Sequence, residues 1–275
     1  MKKLALLLVL GLTGCASVPM YNDSCTKALA AISECREDAE QIKLPTHEQL
    51  LRIPPAVEKI VVAVYKFNDL TGQRKSVQNL ASFSTAVTQG GTEMLIDALK
   101  TAGNGTWFRV VERAGIDNLV RERQIVRSTR EEHDDNKGIQ PLLFAGILLE
   151  GGIIGYDTNL ETGGRGARYL GVGRSTSYRR DVVTVSLRGI SVLTGEVLLN
   201  VQAKKTILSA GVGFDVFKFI DMDTELVEYE DGVAENESVT VATRAAIEAA
   251  VVGLIKQGDE RGYWKIQEQT GENSE

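Results

Sequence analysis

The chain has 275 residues, 43% of them hydrophobic and 25% charged, enough for one large or two small domains with a substantial core. Its formal charge of −6 makes it a poor partner for a phosphate backbone, and nucleic-acid binding is set aside. With only two histidines, His47 and His133, neither at ligand spacing with Cys, Asp or Glu, no metal site is expected.

Residues 1–14 carry a basic start (Lys2, Lys3), an apolar run and a small-residue end, the pattern of a cleaved signal peptide too short to span a bilayer as a helix. The sequence Leu12-Thr13-Gly14-Cys15 resembles the bacterial lipoprotein box, in which the cysteine is acylated and becomes the mature N-terminus. Ala16 after that cysteine implies, by the same resemblance, the outer membrane. Cys25 and Cys35 fall on the apolar stripe of a helix expected over residues 25–43. Ten helical residues hold them about 15 Å apart, beyond the reach of a disulfide. They are core thiols, or paired between subunits, or paired across a break in the helix.

Three prolines make residues 44–56 an expected extended connector. Residues 59–67 are a β-branched run that reads as the first core strand. Residues 68–83 are polar and aperiodic, a loop long enough to suggest a function of its own. Ser84 or Thr85 is expected to cap the following helix, whose apolar face holds Val87, Met94, Leu95 and Ala98. A second strand over 107–112 and a second helix marked by Ile116, Leu119 and Val120 follow. The charged run 127–136 reads as a solvated loop, and Pro141 as the start of a short helical turn.

Residues 153–181 read as two strands around a glycine-rich turn. Leu170, Val172 and Tyr178 share one parity, with small or polar residues on the other. A strand pair facing lipid and water gives this pattern, and so does the commoner two-faced soluble hairpin. Residues 182–192 return to the core, residues 193–196 form a tight turn, and residues 197–208 pair back. A second two-faced hairpin spans about 209–235, with Val212, Phe214 and Val216 on one parity and a polar tip near 221–225. A largely apolar helix is expected over 236–257, with Gly258 as its C-cap.

Catalytic patterns are missing. No nucleophile elbow occurs, and Gly171-Val172-Gly173 lacks the third glycine of a dinucleotide loop. The acidic stretch from Asp221 has Leu226 and Gly232 where a calcium loop requires Gly and Glu. Neither an enzyme nor a cofactor is expected.

Several motifs in one order resemble the CsgG family, the curli secretion channel of the bacterial outer membrane. They include Gly163-Gly-Arg-Gly-Ala-Arg-Tyr-Leu-Gly-Val-Gly173, Ser191-Val-Leu-Thr-Gly-Glu196, Phe217-Lys-Phe-Ile-Asp221, Phe83-Ser-Thr-Ala-Val87 and Asp259-Glu-Arg-Gly-Tyr-Trp264. The resemblance covers residues 59–264 and implies an α+β fold, a periplasmic α/β sandwich of anticodon-binding-domain type. It also implies two hairpins per subunit, at about 156–181 and 209–235, that enter the membrane and close one barrel from nine copies. An acylated segment, residues 15–58, would precede this domain and a polar tail, 265–275, would follow it. The implied cargo is unfolded curli-type subunits or a related adhesin, passed without nucleotide, with periplasmic and surface curli accessory proteins as partners. Cys15 is the implied lipid-attachment site. In the family the long loop folds inward as the pore constriction, built from a tyrosine, an asparagine and a phenylalanine. Here Phe83 matches the phenylalanine, Ser82 takes the asparagine position, and the tyrosine position falls at Val77 or Gln78. Leu170, Val172, Tyr178, Val212, Phe214 and Val216 are the expected lipid-facing residues. The competing reading is a monomeric periplasmic lipoprotein that binds a protein partner, of the cell-wall synthase activator type.

Overall fold

The computed structural model describes residues 43–75, 85–133, 135, 137–169, 172–220, 225–236 and 238–267. These all belong to one unit, Lys43–Glu275. The helix expected over 25–43, Cys25 and Cys35 lie outside the described residues, as does the tail beyond 267.

One mixed sheet organises this unit, in the order β2-β1-β3-β4-β5-β6. Strands β1 (Ile60–Asp69) and β2 (Phe108–Glu112) are parallel and joined through helix α2 (Gly91–Gly105), a β-α-β unit. Strand β3 (Ile147–Tyr169) also runs parallel to β1, and β4 (Val172–Ser191), β5 (Val197–Ile220) and β6 (Glu225–Asn236) follow antiparallel. Helices α1 (Pro45–Leu51) and α2, with α4 (Val239–Glu260), bury their apolar residues in a common core with the sheet.

Alternation places Val62, Val64, Leu149, Val183, Val185, Leu187, Leu199 and Val201 in that core. Against them α4 sets Ala242, Ala246, Ile247, Ala250, Val251 and Leu254, and its alanines permit a close approach of backbone to backbone. Trp107, Phe108 and Trp264 form an aromatic knot with ring centroids 6.0–6.5 Å apart. Both indoles are satisfied: Trp107 Nε1 donates to the Pro54 carbonyl at 2.8 Å and Trp264 Nε1 to the Ile255 carbonyl at 2.7 Å.

Gly258 is not the cap of α4. It sits inside the helix because a Cβ there would meet Trp264 Cζ2 at 1.9 Å. The helix ends one turn later, where Gly262 adopts φ +75° and the Tyr263 N–H reaches the Gly258 carbonyl at 2.9 Å, a Schellman closure. At the other end, Ser238 accepts from the Thr240 N–H at 3.2 Å and the helix starts at Val239, three residues later than the sequence suggested.

Other expectations are corrected by local chemistry. Residues 45–51 are helical and not an extended connector, because Pro45 occupies the first turn, where its missing N–H costs nothing, and Leu50 docks fully buried in the core. His47 therefore lies on a helix, and His133 closes another. Thr85 does not cap α2. It bridges Arg74, and α2 begins at Gly91, with Val87 buried ahead of it. The charged run begins as helix, since α3 (Ile116–Glu132) extends into it. Residue 141 opens no helical turn. The stretch 137–145 has no regular structure and is strapped to α3 by two arginines donating to its carbonyls, Arg130 to Lys137 at 2.7 Å and Arg123 to Gln140 at 2.8 Å, while Arg113, between β2 and α3, donates to the Leu143 carbonyl at 2.8 Å.

The glycine run 163–166 is not a turn. β3 continues through it to Tyr169, which pairs with Val172.

Candidate membrane-spanning surface

The four antiparallel strands outrun the helices that cover them. Burial persists along β3 to Tyr156, along β4 back to Asp181, and along β5 to Ser209. Beyond that line β3, β4, β5 and β6 form a blade that no helix covers on either face among the described residues. On β4 the blade comprises residues 172–180, close to the roughly 9–11 residues a tilted strand needs to cross a bilayer.

The register sorts the blade into two faces. One carries Tyr169, Val172, Tyr178, Leu208, Val212 and Phe214. Tyr169 is 79% exposed and Leu208 62%, with the other four between 44% and 48%. This is a sheet of large apolar side chains facing outward, where a water-facing sheet would carry polar ones. Val216 falls at the same register position as Val172. Leu170 lies outside the described residues. The opposite face carries Gly164, Gly166, Gly173, Ser175, Ser177, Gly211 and Gly213, paired in rows such as Gly166–Ser175–Gly213.

Aromatic packing strengthens the apolar face. The Tyr178 ring lies on Gly163, where a Cβ would come within 2.4 Å of Cε1, so the glycine is the seat of a cross-strand aromatic. Beside it Arg180 Nη1 pairs with Glu161 Oε2 at 3.2 Å, at the core end of the blade. Arg174 stands one pair from the hairpin end, and Arg165, opposite Thr176, has a stem long enough to reach toward that end.

Both edges of the blade are open among the described residues. β1 leaves β3 after Asp69 and Ile153, so from Gly155 onward β3 pairs with β4 alone, and β6 pairs with β5 alone. Open edges present unpaired N–H and C=O groups, which are costly in hydrocarbon.

At the foot of the blade Asp181 is buried (1% exposed) and its Oδ2 lies 3.2 Å from Arg179 Nε. A second buried carboxylate, Glu248 (2% exposed), lies on α4. Its Oε2 accepts from the Thr46 hydroxyl, and its Oε1 is 3.8 Å from His47 Nδ1. Burial raises the Glu248 carboxyl above the usual carboxylate range. The Thr46 hydroxyl, His47 and Arg244 pull it back, and Asp97 adds to the rise.

The loop residues Val77, Gln78, Ser82 and Phe83 lie outside the described residues, as does Cys15. Both feet of that loop are pinned. Arg74 bridges Thr85, the Ala86 N–H donates to the Gln73 carbonyl at 2.9 Å, and Thr71 caps Asp69 Oδ1 through its N–H at 2.8 Å. Among the described residues no group of three or more His, Cys, Asp or Glu is placed to hold a metal, and no helix is long and apolar enough to cross a membrane, which says nothing of strands.

Sequence reasoning missed the Tyr178–Gly163 seat, the Arg179–Asp181 pair and Glu248. The last had a signal: a glutamate between Ala245, Ala246, Ala249 and Ala250. Asp181 had one too, since it shares parity with the buried Val183 and Val185.

Comparison with known proteins follows the same lines. The family model "Curli production assembly/transport component CsgG" matches residues 43–275. Curated relatives of that description include one from Citrobacter koseri, 40% identical over 87% of this chain and 89% of its own. Another, from Salmonella typhimurium, is 41% identical over 96% of this chain and 91% of its own. A third, from Escherichia coli K12, is 42% identical over 81% and 80%. A solved PelC dodecamer from Paraburkholderia phytofirmans is 12% identical, covers 74% of this chain and 91% of that one, and has a TM-score of 0.26, too distant to carry an argument.

Proposed function

Because the chain belongs to the CsgG family of curli production assembly/transport components, which are not enzymes, we propose that it is a secretion channel of the outer membrane. It is anchored through acylated Cys15 and built from a closed ring of copies, nine by the family resemblance. Each copy contributes the β3–β4 and β5–β6 hairpins to one barrel, with its α/β layer in the periplasm. Unfolded curli-type subunits pass through without nucleotide, delivered and received by curli accessory proteins. The loop holding Val77, Gln78, Ser82 and Phe83 narrows the pore.

The observation that carries this reading is the uncovered four-stranded blade, apolar on one face, small and polar on the other, and open at both edges. A single blade is unstable in lipid because its edge groups find no partner there. β6 of one copy against β3 of the next satisfies them all. The apolar face then meets lipid and the glycine and serine rows line an aqueous lumen. A monomeric binding module leaves that apolar surface in water without a purpose.

The test is export. In a curli-secreting host lacking its own channel, the full-length protein should restore surface appearance of the amyloid subunit, and a version lacking residues 209–236 should not. Restoration by the truncated protein would contradict the channel.

A further inference from the structure

Arg179 lies on the glycine and serine face, opposite Thr162 on β3 and Ser209 on β5. Its Nε is held 3.2 Å from Asp181 Oδ2, yet the two partners sit in different surroundings. Asp181 is 1% exposed, within the layer that ends the core, and the Arg179 side chain is 48% exposed. The pair therefore turns its cationic pole outward and its anionic pole inward. From this row toward the hairpin end, the same face offers only glycine, alanine and serine over two successive rows, those of Ser177 and Ser175. No side chain there reaches as far from the sheet as a guanidinium. The next charged positions are Arg168, Asp215 and Glu230, which share a row with Gly173, about 20 Å further along the strand.

We propose that Arg179, positioned by buried Asp181, forms a cationic collar around the inner mouth of the lumen, one guanidinium from each copy, that favours small anions and the carboxylate-bearing segments of a passing polypeptide. The proposal rests on the channel reading above. Rings of arginine select for anions at constrictions, and the collar is the longest feature on an otherwise smooth wall. The aspartate is a positioning residue. Its carboxylate fixes the arginine at the mouth and stays out of the lumen's field.

The test uses the full-length protein, purified in detergent and fused into planar bilayers under a KCl gradient. Arg179→Gln should lower the chloride-to-potassium permeability ratio relative to the parent, and Arg179→Lys should preserve it. The difference should be large at 0.1 M KCl, where screening acts over about 10 Å, and fade at 1 M, where it acts over about 3 Å. Arg179→Gln removes the ion pair that buried Asp181 makes at 3.2 Å and is expected to hinder assembly. The double variant Arg179→Gln/Asp181→Asn removes both charges and keeps the aspartate's shape, and should show the same loss of anion preference. An unchanged ratio in whichever of these forms channels overturns the collar. A cysteine probe gives an independent reading. Thr162→Cys, beside an intact Arg179, should react faster with an anionic methanethiosulfonate than with a cationic one, and equal rates overturn the proposal. Conducting channels with no such difference refute the collar alone, whereas the absence of any conducting assembly refutes the channel reading and the collar with it.

Discussion

Val212 offers the sharpest test of which face meets lipid. It lies in the middle of the blade, opposite Thr176 on β4 and Val233 on β6, and is 45% exposed on the apolar side. Val172 is a weaker probe because its pair with Tyr169 is the last of the β3–β4 ladder, where a long cation reaches the headgroups. An arginine at a mid-membrane, lipid-facing position of a barrel costs about 2–4 kcal/mol, a factor of about 30 to 900 in each subunit's insertion equilibrium. Every copy in a ring carries the change, so the penalties accumulate around the barrel. Val212→Arg should therefore abolish the assembled form, read as loss of the high-mass species on size-exclusion chromatography of detergent extracts. Ser177→Arg, one strand away on the opposite face, should assemble because its guanidinium enters water. Full assembly of Val212→Arg, or loss of assembly in Ser177→Arg alone, would reverse the facing assignment.

Other outcomes follow from the same account. Phe83→Ala should raise single-channel conductance with rings intact, and unchanged conductance would exclude Phe83 from the constriction. Cys15→Ser should leave the protein out of outer-membrane fractions, and its normal placement there would remove the lipid anchor from the account. Gly258→Ala forces a Cβ into the Trp264 ring and should destabilise the domain by about 1–3 kcal/mol, measured as a lowered denaturation midpoint. The Glu248 carboxyl is raised in the folded state, so the folded protein binds the proton more tightly than the unfolded chain. Its contribution is thus greatest below the ordinary carboxylate range and is lost as pH rises through the folded value. The melting-temperature advantage of the parent over Glu248→Gln should shrink across that window, and parallel pH profiles would show that Glu248 does not titrate there.

Much of the architecture was legible because periodicity reports burial. The runs in β1 and β2, the two-faced parity of β3 to β5 and the alanine-rich face of α4 each encode which side meets the core. What misled was chemistry that depends on tertiary partners. Pro45 reads as a helix breaker until Leu50 is seen buried, and glycines 163, 164 and 166 read as a turn until Tyr178 is seen seated on the first. Gly258 resembles a cap because its true reason, Trp264, is a contact rather than a conformation. The charged run beyond residue 127 carried no apolar stripe, and its helix is held by arginines on a neighbouring backbone. Of the expected site, Val172, Tyr178, Val212 and Phe214 share one exposed face, whereas Phe83 and Cys15 rest on family resemblance alone.

The central claim is that copies of this chain close their blades into one barrel. Electron microscopy of the full-length protein, extracted from outer membranes in mild detergent, tests it most directly. The account predicts rings with a central pore whose wall is continuous β-sheet, with β6 of each copy beside β3 of the next. Single small particles with the hairpins folded back or exposed would contradict it.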